Sequence, residues 1–143
     1  MTEDIKNLIL LNNGTDGILI NQDIDEYISK LAKFSTILPY YTGSVLKGFI
    51  AYYCNDDLKE NSFLTMILID KSARGEGIGK LLLECSIIDL LQKGFKNYKL
   101  EVLKENERAF NMYQKFGFNI EENRGKLWLL NLNLNNYQLS KNL

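Results

Sequence analysis

The sequence predicts an α/β fold: a central mixed β-sheet of about six to seven strands with helices on both faces. Residues 62–70 are almost all apolar, which is typical of a strand covered on both sides. A long helical pattern and another strand follow, and this order predicts a right-handed parallel crossover. Runs of alternating or β-rich residues flank this unit and supply further strands. At 143 residues the chain is predicted to form a single domain, 1–143.

The N-terminal part is predicted to contribute two helices. Residues 2–11 place apolar side chains at helical spacing, and residues 23–33 do the same with a capping residue at Asn21 or Asp23. The apolar positions are Ile5, Leu8 and Ile9 in the first helix and Ile24, Tyr27, Ile28 and Leu31 in the second. No clear strand lies between the helices, although residues 17–20 could supply a short one.

From residue 34 the pattern changes to that of a sheet. Residues 34–41 and 44–55 are β-rich runs separated by a Thr-Gly pair, which is a hairpin signal. A polar turn at 56–61 leads into the apolar strand 62–70.

The second half alternates helices and strands. A helix is predicted from the glycine-rich segment to about Gln92, with Glu84 on its outer face. Its predicted buried face consists of Ile78, Leu81, Leu82, Cys85, Ile88 and Leu91. A strand at 97–103, a helix at 106–115 and strands at 118–123 and 126–134 complete the fold. The last strand alternates leucine and asparagine, so it could pair across a homodimer.

Composition excludes several classes of chemistry. The chain has no histidine, which excludes imidazole bases, Ser-His-Asp catalysis and His-ligated zinc. Cys54 and Cys85 are the only cysteines and lack metal-ligand spacing, so no metal site is predicted. A net charge of -1 argues against nucleic-acid binding by bulk charge. Any acid or base must therefore be a carboxylate, tyrosine, lysine, cysteine or backbone group.

The sequence also predicts a location. The first residues lack the basic stretch and small-residue cleavage site of a signal peptide. No apolar run approaches the roughly 20 residues needed to span a bilayer. We therefore expect a cytoplasmic protein with no membrane partner.

The segment RGEGIGK lies between the apolar strand and the long helix. Glycines there allow tight turns, and the amides of a helix N-terminus attract anions such as a pyrophosphate. The spacing fits neither a P-loop, which needs a glycine at position 74, nor the GxGxxG dinucleotide fingerprint. The alternatives are a flexible turn with incidental glycines and a nucleotide-binding regulatory domain.

Two motifs together resemble the GNAT superfamily of N-acetyltransferases. The segment RGEGIG after FLTMILID resembles its acetyl-CoA-binding signature, and LEVLKENERAFNMYQKFGF resembles its second signature. The resemblance covers about residues 44–130. It implies a GNAT-like fold in which the strands at 62–70 and 97–103 splay apart and the pantetheine arm of acetyl-CoA lies between them.

The resemblance also implies which residues bind the cosubstrate acetyl-CoA. The backbone of Ile67 and Ile69 would bond the pantetheine arm, and Asn106 would bond it near the thioester. The pyrophosphate would lie on the loop residues Arg74, Gly75, Gly77, Ile78, Gly79 and Lys80. Independently of the resemblance, Asn106 can be interpreted as a helix N-cap.

Two residues are candidates for catalysis. Tyr113 matches the family tyrosine that protonates the departing thiolate; from spacing alone it could equally be a core aromatic. Glu101 matches the base of some bacterial ribosomal-protein N-terminal acetyltransferases, and the alternative is a structural glutamate. Asp70 and Glu60 are weaker candidates for the base. A cysteine nucleophile is disfavoured because no histidine could activate it.

The acceptor is predicted to be a primary amine of a small molecule. The strand segment GFIAYYCNDD is faintly similar to GNAT members of surface-polysaccharide synthesis, which suggests an amino-sugar nucleotide. Its tyrosines and the neighbouring pair, Tyr40, Tyr41, Tyr52 and Tyr53, could stack on a sugar or base, or they could simply pack the sheet. The alternatives are a protein N-terminal amine and a CoA-binding module without turnover.

Overall fold

The computed structural model describes residues 1–12 and 23–137. Within them the chain forms four α-helices, six strands and two 3-10 turns, Lys71–Ala73 and Leu134–Asn136. In chain order the elements are α1 (Thr2–Asn12), α2 (Ile24–Phe34), β1 (Thr36–Thr42), β2 (Val45–Tyr53), β3 (Asn61–Ile69), α3 (Ile78–Lys93), β4 (Asn97–Leu103), α4 (Glu107–Lys115), β5 (Asn119–Arg124) and β6 (Leu127–Asn133). The short strand suggested at 17–20 and the cap at Asn21 lie outside the described residues.

The six strands form one mixed sheet in the order β1-β2-β3-β4-β6-β5. Only β3 and β4 pair in parallel, through the crossover that contains α3, and the other neighbours are antiparallel. The predicted mixed sheet is therefore confirmed. The expectation that the last strand could pair across a dimer is wrong, because β6 lies between β4 and β5 and both of its edges are occupied. Among the strands of the described residues, β1 and β5 are the outermost.

Helices cover both faces of the sheet, as predicted, and the alternation of β2 shows the division. Phe49 and Ala51 pack with the buried residues of α1 and α2. Ile50 and Tyr52 point to the opposite face and pack with α3 and with Tyr113 of α4. Each face thus has its own apolar core.

The first two helices form where their sequence predicted them. Ile5, Leu8 and Ile9 are buried on α1, and Ile28 and Leu31 are buried on α2. Asp23 caps α2, because its carboxylate accepts hydrogen bonds from the backbone N–H groups of the next turn at 2.9 and 3.1 Å. Within the described part of the chain, none of the helices has both the length and the apolar character to cross a membrane.

The buried face predicted for α3 is only partly correct: Ile78 and Leu82 are buried as predicted, but two other positions are not. Leu81 is 50% exposed and Cys85 is exposed, whereas Glu84 is buried. The face that packs on the sheet consists of Ile78, Leu82, Leu83, Ser86, Ile87 and Leu90. The run LLLECSIIDLL is apolar on nearly every side, so helical spacing did not select one face. Tertiary hydrogen bonds did: the hydroxyl of Tyr98 donates to Ser86 at 2.9 Å, and that of Tyr137 donates to Glu84.

Candidate functional site

The centre of the site is a gap between the two parallel strands. β3 and β4 pair from Asn61 opposite Asn97 to Leu64 opposite Leu100. Beyond Leu64, β3 continues to Ile69 in contact with β2, and β4 continues in contact with β6. The strands therefore separate at their carboxyl ends, which is where α/β sheets commonly bind ligands.

The gap opens into a cleft of about 1060 Å³. Its walls come from β3, the glycine-rich loop, the start of α3, the end of β4 and α4. All eleven site residues predicted from the sequence line it: Ile67, Ile69, Arg74, Gly75, Gly77, Ile78, Gly79, Lys80, Glu101, Asn106 and Tyr113. The fold thus brings together residues spread over 47 positions of the chain; their roles remain predictions.

The backbone of β3 faces this gap. The N–H of Asp70 donates to the carbonyl of Lys47 at 2.8 Å, so the N–H of this residue points toward β2. The N–H and C=O of one strand residue point to the same side and those of the next residue to the other side, so the backbone N–H and C=O of Ile67 and Ile69 point away from β2, into the gap. The carbonyl of Ile69 accepts a hydrogen bond from Arg74 Nε at 3.1 Å. Arg74 is therefore anchored to the same strand edge that was predicted to bond the pantetheine arm.

The three glycines of the loop differ in backbone conformation and in the space around them. Gly75 and Gly77 have φ angles of +84° and +80°, a left-handed conformation that disfavours side chains. A Cβ on either would contact no described atom within 4 Å, so both positions border open space. Gly79 has no such φ, and a Cβ there would lie 3.8 Å from the Ile69 side chain, an ordinary contact. Backbone conformation therefore explains the first two glycines and leaves the third unexplained.

The N-terminus of α3 is suited to an anion. Its N-cap, Gly77, supplies no side-chain hydrogen bond, and the first turn contains Lys80 and no acidic residue. The other three helices each begin with at least one acid in the first turn. Unpaired first-turn amides and the helix dipole give this end a partial positive charge. An anionic group in the cleft would satisfy these amides.

Asn106 lies both at the start of α4 and in the wall of the cleft. It is the N-cap of α4, where its Oδ1 accepts from the backbone N–H of Ala109 at 3.2 Å. It also lines the cleft. The cap bond uses the amide oxygen, and the amide NH₂ is a separate donor group. The two interpretations are therefore compatible.

Tyr113 is a core residue at the edge of the cleft. Its side chain is 5% exposed, and its ring packs edge-on against Phe118 at a centroid distance of 5.6 Å. Burial raises the pKa of the phenol above its usual value. The phenol is consequently protonated at neutral pH, as an acid must be before it acts.

Glu101 lies on the other face of β4. Its neighbours Leu100 and Val102 are buried against α3 and α4, so alternation directs Glu101 to the opposite side. Arg124 Nη1 donates to Glu101 Oε2 at 3.2 Å, and Arg124 Nε donates to Glu122 Oε2 at 2.7 Å. The carboxylate that was predicted to be the base is therefore held in an ion pair in this structure.

The weaker candidates for the base have structural roles. Asp70 caps the 3-10 turn, and its carboxylate accepts from the hydroxyl and N–H of Ser72 and from Asn12 Nδ2. These hydrogen bonds, the Ser72 hydroxyl first, lower the pKa of Asp70. Glu60 forms an exposed ion pair with Lys96 at 3.0 Å. Neither residue is among the described residues that line the cleft.

The two cysteines and the tyrosines of the tyrosine-rich segment are likewise not among the described residues that line the cleft. Cys54 is half-buried and within 3.7 Å of the Lys93 ammonium. Tyr52 is fully buried and donates to Asp89 at 2.6 Å, and Tyr41 donates to Asp4 at 3.0 Å. Sheet packing and local hydrogen bonds therefore account for Tyr52 and Tyr41, and the segment gives no support for sugar stacking.

Sequence reasoning missed several residues of the site. Tyr27 was assigned to the apolar face of α2, but it lines the cleft, and Thr65 on β3 is a second unpredicted residue of the wall. Arg108 on α4 also lines the cleft. Arg124 comes next to Glu101 only because β6 lies between β4 and β5. The nearest signal for Arg124 was its position just before the hairpin glycine at 125.

Comparison with known proteins gives consistent results. Residues 13–118 match the family model described as "Acetyltransferase (GNAT) family". The chain is 33% identical over 85 residues to a probable spermine N(1)-acetyltransferase of Bacillus subtilis subsp. natto, covering 55% of each protein. It is 27% identical over 81 residues to N-alpha-acetyltransferase 30 of Dictyostelium discoideum, covering 57% of this chain and 44% of the relative. The chain thus spans about half the length of the curated relatives it matches.

Solved structures share the fold at low sequence identity. The ribosomal-protein-S18-alanine N-acetyltransferase of Escherichia coli superposes with a TM-score of 0.79 at 17% identity, over 93% of this chain and 87% of that one. An N-acetyltransferase of Thermoplasma acidophilum in complex with coenzyme A gives a TM-score of 0.70 at 19% identity, over 92% of both chains. At these identities the likeness concerns the fold alone.

Proposed function

The chain belongs to the GNAT family of acetyltransferases, and from this premise we propose that it transfers an acetyl group from acetyl-CoA to a primary amine of a small molecule. The observation that carries the proposal is the gap beyond Leu64 and Leu100, which is lined by all eleven residues of the predicted site. Two curated relatives named as spermine or spermine/spermidine acetyltransferases support a small-molecule amine.

The residues of the cleft fit acetyl-CoA. The edge of β3 that faces the gap offers backbone donors and acceptors at Ile67 and Ile69 to an extended amide chain, and the Ile69 carbonyl also accepts from Arg74 Nε. The unpaired amides of α3, together with Arg74 and Lys80, offer a site for the pyrophosphate. Asn106 would donate from its amide NH₂ near the reacting end. When bound, acetyl-CoA supplies an activated acetyl group on a sulfur that can leave as a thiolate.

Glu101 would prepare the acceptor. An alkyl ammonium with a pKa near 10 has no lone pair at pH 7, so a base must remove its proton. Glu101 lies at the cleft, and its exposed carboxylate can accept that proton directly or through a water molecule. To do so it must give up at least part of its hydrogen bond with Arg124.

Tyr113 would protonate the departing sulfur. Burial raises the pKa of the phenol, which by itself makes proton donation harder. The same low-polarity surroundings also raise the pKa of a thiol at this place, because they destabilise every uncompensated anion. The pKa gap between the phenol and the thiol therefore widens by less than the pKa of Tyr113 itself rises. Proton transfer from Tyr113 to the sulfur remains feasible.

The acceptor can be identified by measuring thiol release from acetyl-CoA with a panel of amines. The panel contains polyamines, simple alkylamines, an amino-sugar nucleotide and a peptide with a free N-terminus. Release with a small amine supports the proposal, and the amino-sugar nucleotide suggested by the sequence is one member of that class. Release with the peptide alone would assign a protein N-terminal acetyltransferase. CoA binding without release from any amine would assign a binding module and contradict the proposal.

A further inference from the structure

We propose that Arg124 determines acceptor specificity: in the free protein its guanidinium occupies the place at Glu101 that the ammonium group of a cationic acceptor takes. The inference rests on the proposed function, because it concerns the acceptor side of the same cleft. It names the acceptor as a cationic primary amine that carries no carboxylate. Such an amine would exchange with Arg124 at Glu101.

The geometry places one cation between two carboxylates. Glu101 on β4 lies opposite Leu129, and Arg124 on β5 lies opposite Leu127, so β6 brings the two side chains across one strand. Arg124 reaches Glu101 at 3.2 Å through Nη1 and Glu122 at 2.7 Å through Nε. The two carboxylates and one guanidinium leave this group with a net charge of -1. A second cation can therefore be accommodated.

The arrangement allows the exchange without leaving Arg124 unpaired. When an ammonium takes Glu101, Arg124 keeps its shorter ion pair with Glu122. The side chains of Glu101 and Arg124 are 35% and 42% exposed, and ion pairs this accessible to water are weak. An incoming ammonium thus displaces Arg124 from its weak ion pair with Glu101. The ammonium then forms its own ion pair with this carboxylate, which lies at the cleft.

A second cation on the same face of β4 is paired with another carboxylate. Lys99 lies on the same face of β4, two residues before Glu101, but it pairs with Glu121 at 2.5 Å. Tyr27 and Thr65, which also line the cleft, are uncharged. A carboxylate on the acceptor would be repelled by the net charge of -1 on Glu101, Glu122 and Arg124. These three side chains therefore favour a cation over a zwitterion.

The test compares Arg124→Gln with wild type, using putrescine and γ-aminobutyrate as amines of equal chain length. KM is measured by thiol release, and the Kd of each amine is measured on the complex with CoA, where no acetyl group can be transferred. We expect Arg124→Gln to lower the KM and Kd for putrescine by about threefold to tenfold, because Glu101 loses its ion pair with a cation, with kcat nearly unchanged. The affinity for γ-aminobutyrate should not improve.

Two further variants serve as controls. Arg124→Lys retains the positive charge and should restore the wild-type KM. Lys99→Gln removes a positive charge from the same face without touching Glu101, and it should change the KM by less than twofold. Equal changes in Arg124→Gln and Lys99→Gln, or an unchanged or raised KM for putrescine in Arg124→Gln, would overturn the inference while acetyl transfer itself stands. Absence of thiol release from every amine in wild type would overturn the proposed function and this inference with it.

Discussion

Leu64 faces Leu100 at the last position where β3 and β4 pair, and the two strands diverge beyond it. The end of this pairing creates the cleft. It leaves the backbone of β3 facing a gap, and it sets Glu101 and Tyr113 on the walls of one cavity. The proposed chemistry depends on that divergence, because a fully paired sheet would have no free strand edge for an extended ligand.

The role of Glu101 can be tested by Glu101→Gln, which keeps the shape and removes the basic carboxylate. We expect kcat/KM to fall by about 10²–10⁴. The wild-type rate should fall at low pH, because a protonated carboxyl cannot accept the amine proton, and this decline should vanish from the residual rate of the variant. The matched control is Glu121→Gln, which removes an acid that pairs with Lys99 instead. An unchanged pH profile in Glu101→Gln would assign the base to another group.

Tyr113→Phe tests the acid. The ring and its contact with Phe118 are kept, so stability should change little, while kcat should fall by about two orders of magnitude. The loss should shrink with an aryl thioester, whose thiolate needs less help to leave. Tyr98→Phe is the control: it removes a buried hydroxyl bonded to Ser86, costing about 1 kcal/mol of stability and no rate. Equal losses with both thioesters would mean that Tyr113 only positions the cosubstrate.

Local sequence patterns were enough to predict most of the fold. The apolar run at 62–70 predicted a buried strand, and RGEGIGK predicted a turn before a helix; the structure contains both. The same two motifs identified residues that all line the cleft. These features are encoded by neighbouring residues, so a single sequence reveals them.

Features set by distant contacts could not be predicted in this way. The buried face of α3 depends on Tyr98 and Tyr137, which bond to Ser86 and Glu84 from other parts of the chain. The insertion of β6 between β4 and β5 is likewise a property of the whole sheet. Arg124 becomes a neighbour of Glu101 only through that insertion. A pattern along the chain carries no information about such pairings.

The glycines of the loop give a stability prediction. Gly77→Ala should destabilise the fold by about 1–2 kcal/mol, because φ is +80° and an L side chain is strained there. Gly79→Ala should leave the free energy of unfolding unchanged or raise it by up to about 1 kcal/mol, since its backbone is helical and the new methyl makes an ordinary contact. Urea denaturation measures both. Equal costs at the two positions would contradict the conformational argument.

Asp70 gives a pH prediction. Hydrogen bonds from Ser72 and Asn12 lower its pKa in the folded state. The folded protein therefore binds this proton less readily than the unfolded chain. The resulting stabilisation is complete above the ordinary carboxyl pKa of about 3.9 and is lost as the pH falls through the lower folded-state value. Asp70→Asn should thus be less stable than wild type at pH 7, and the difference should shrink in acid.

The control for Asp70→Asn is Asp57→Asn, which changes an exposed carboxyl in the loop before β3. Denaturation followed from pH 7 to pH 2 compares the three proteins. A difference between Asp70→Asn and wild type that stays constant over this range would show that the charge of Asp70 does not contribute.

Binding of CoA at the start of α3 is the most direct test of the whole account. At a hundredfold excess over its Kd, CoA should stabilise the protein by about 2.7 kcal/mol, and for a chain of this size Tm should rise by about 5–10 °C. Gly77→Asp places a carboxylate beside the helix amides and should abolish the rise. Gly43→Asp makes the same change at another left-handed glycine bordering open space, in the β1–β2 turn, and should keep it. No rise in wild type with millimolar CoA, or an undiminished rise in Gly77→Asp, would contradict the account.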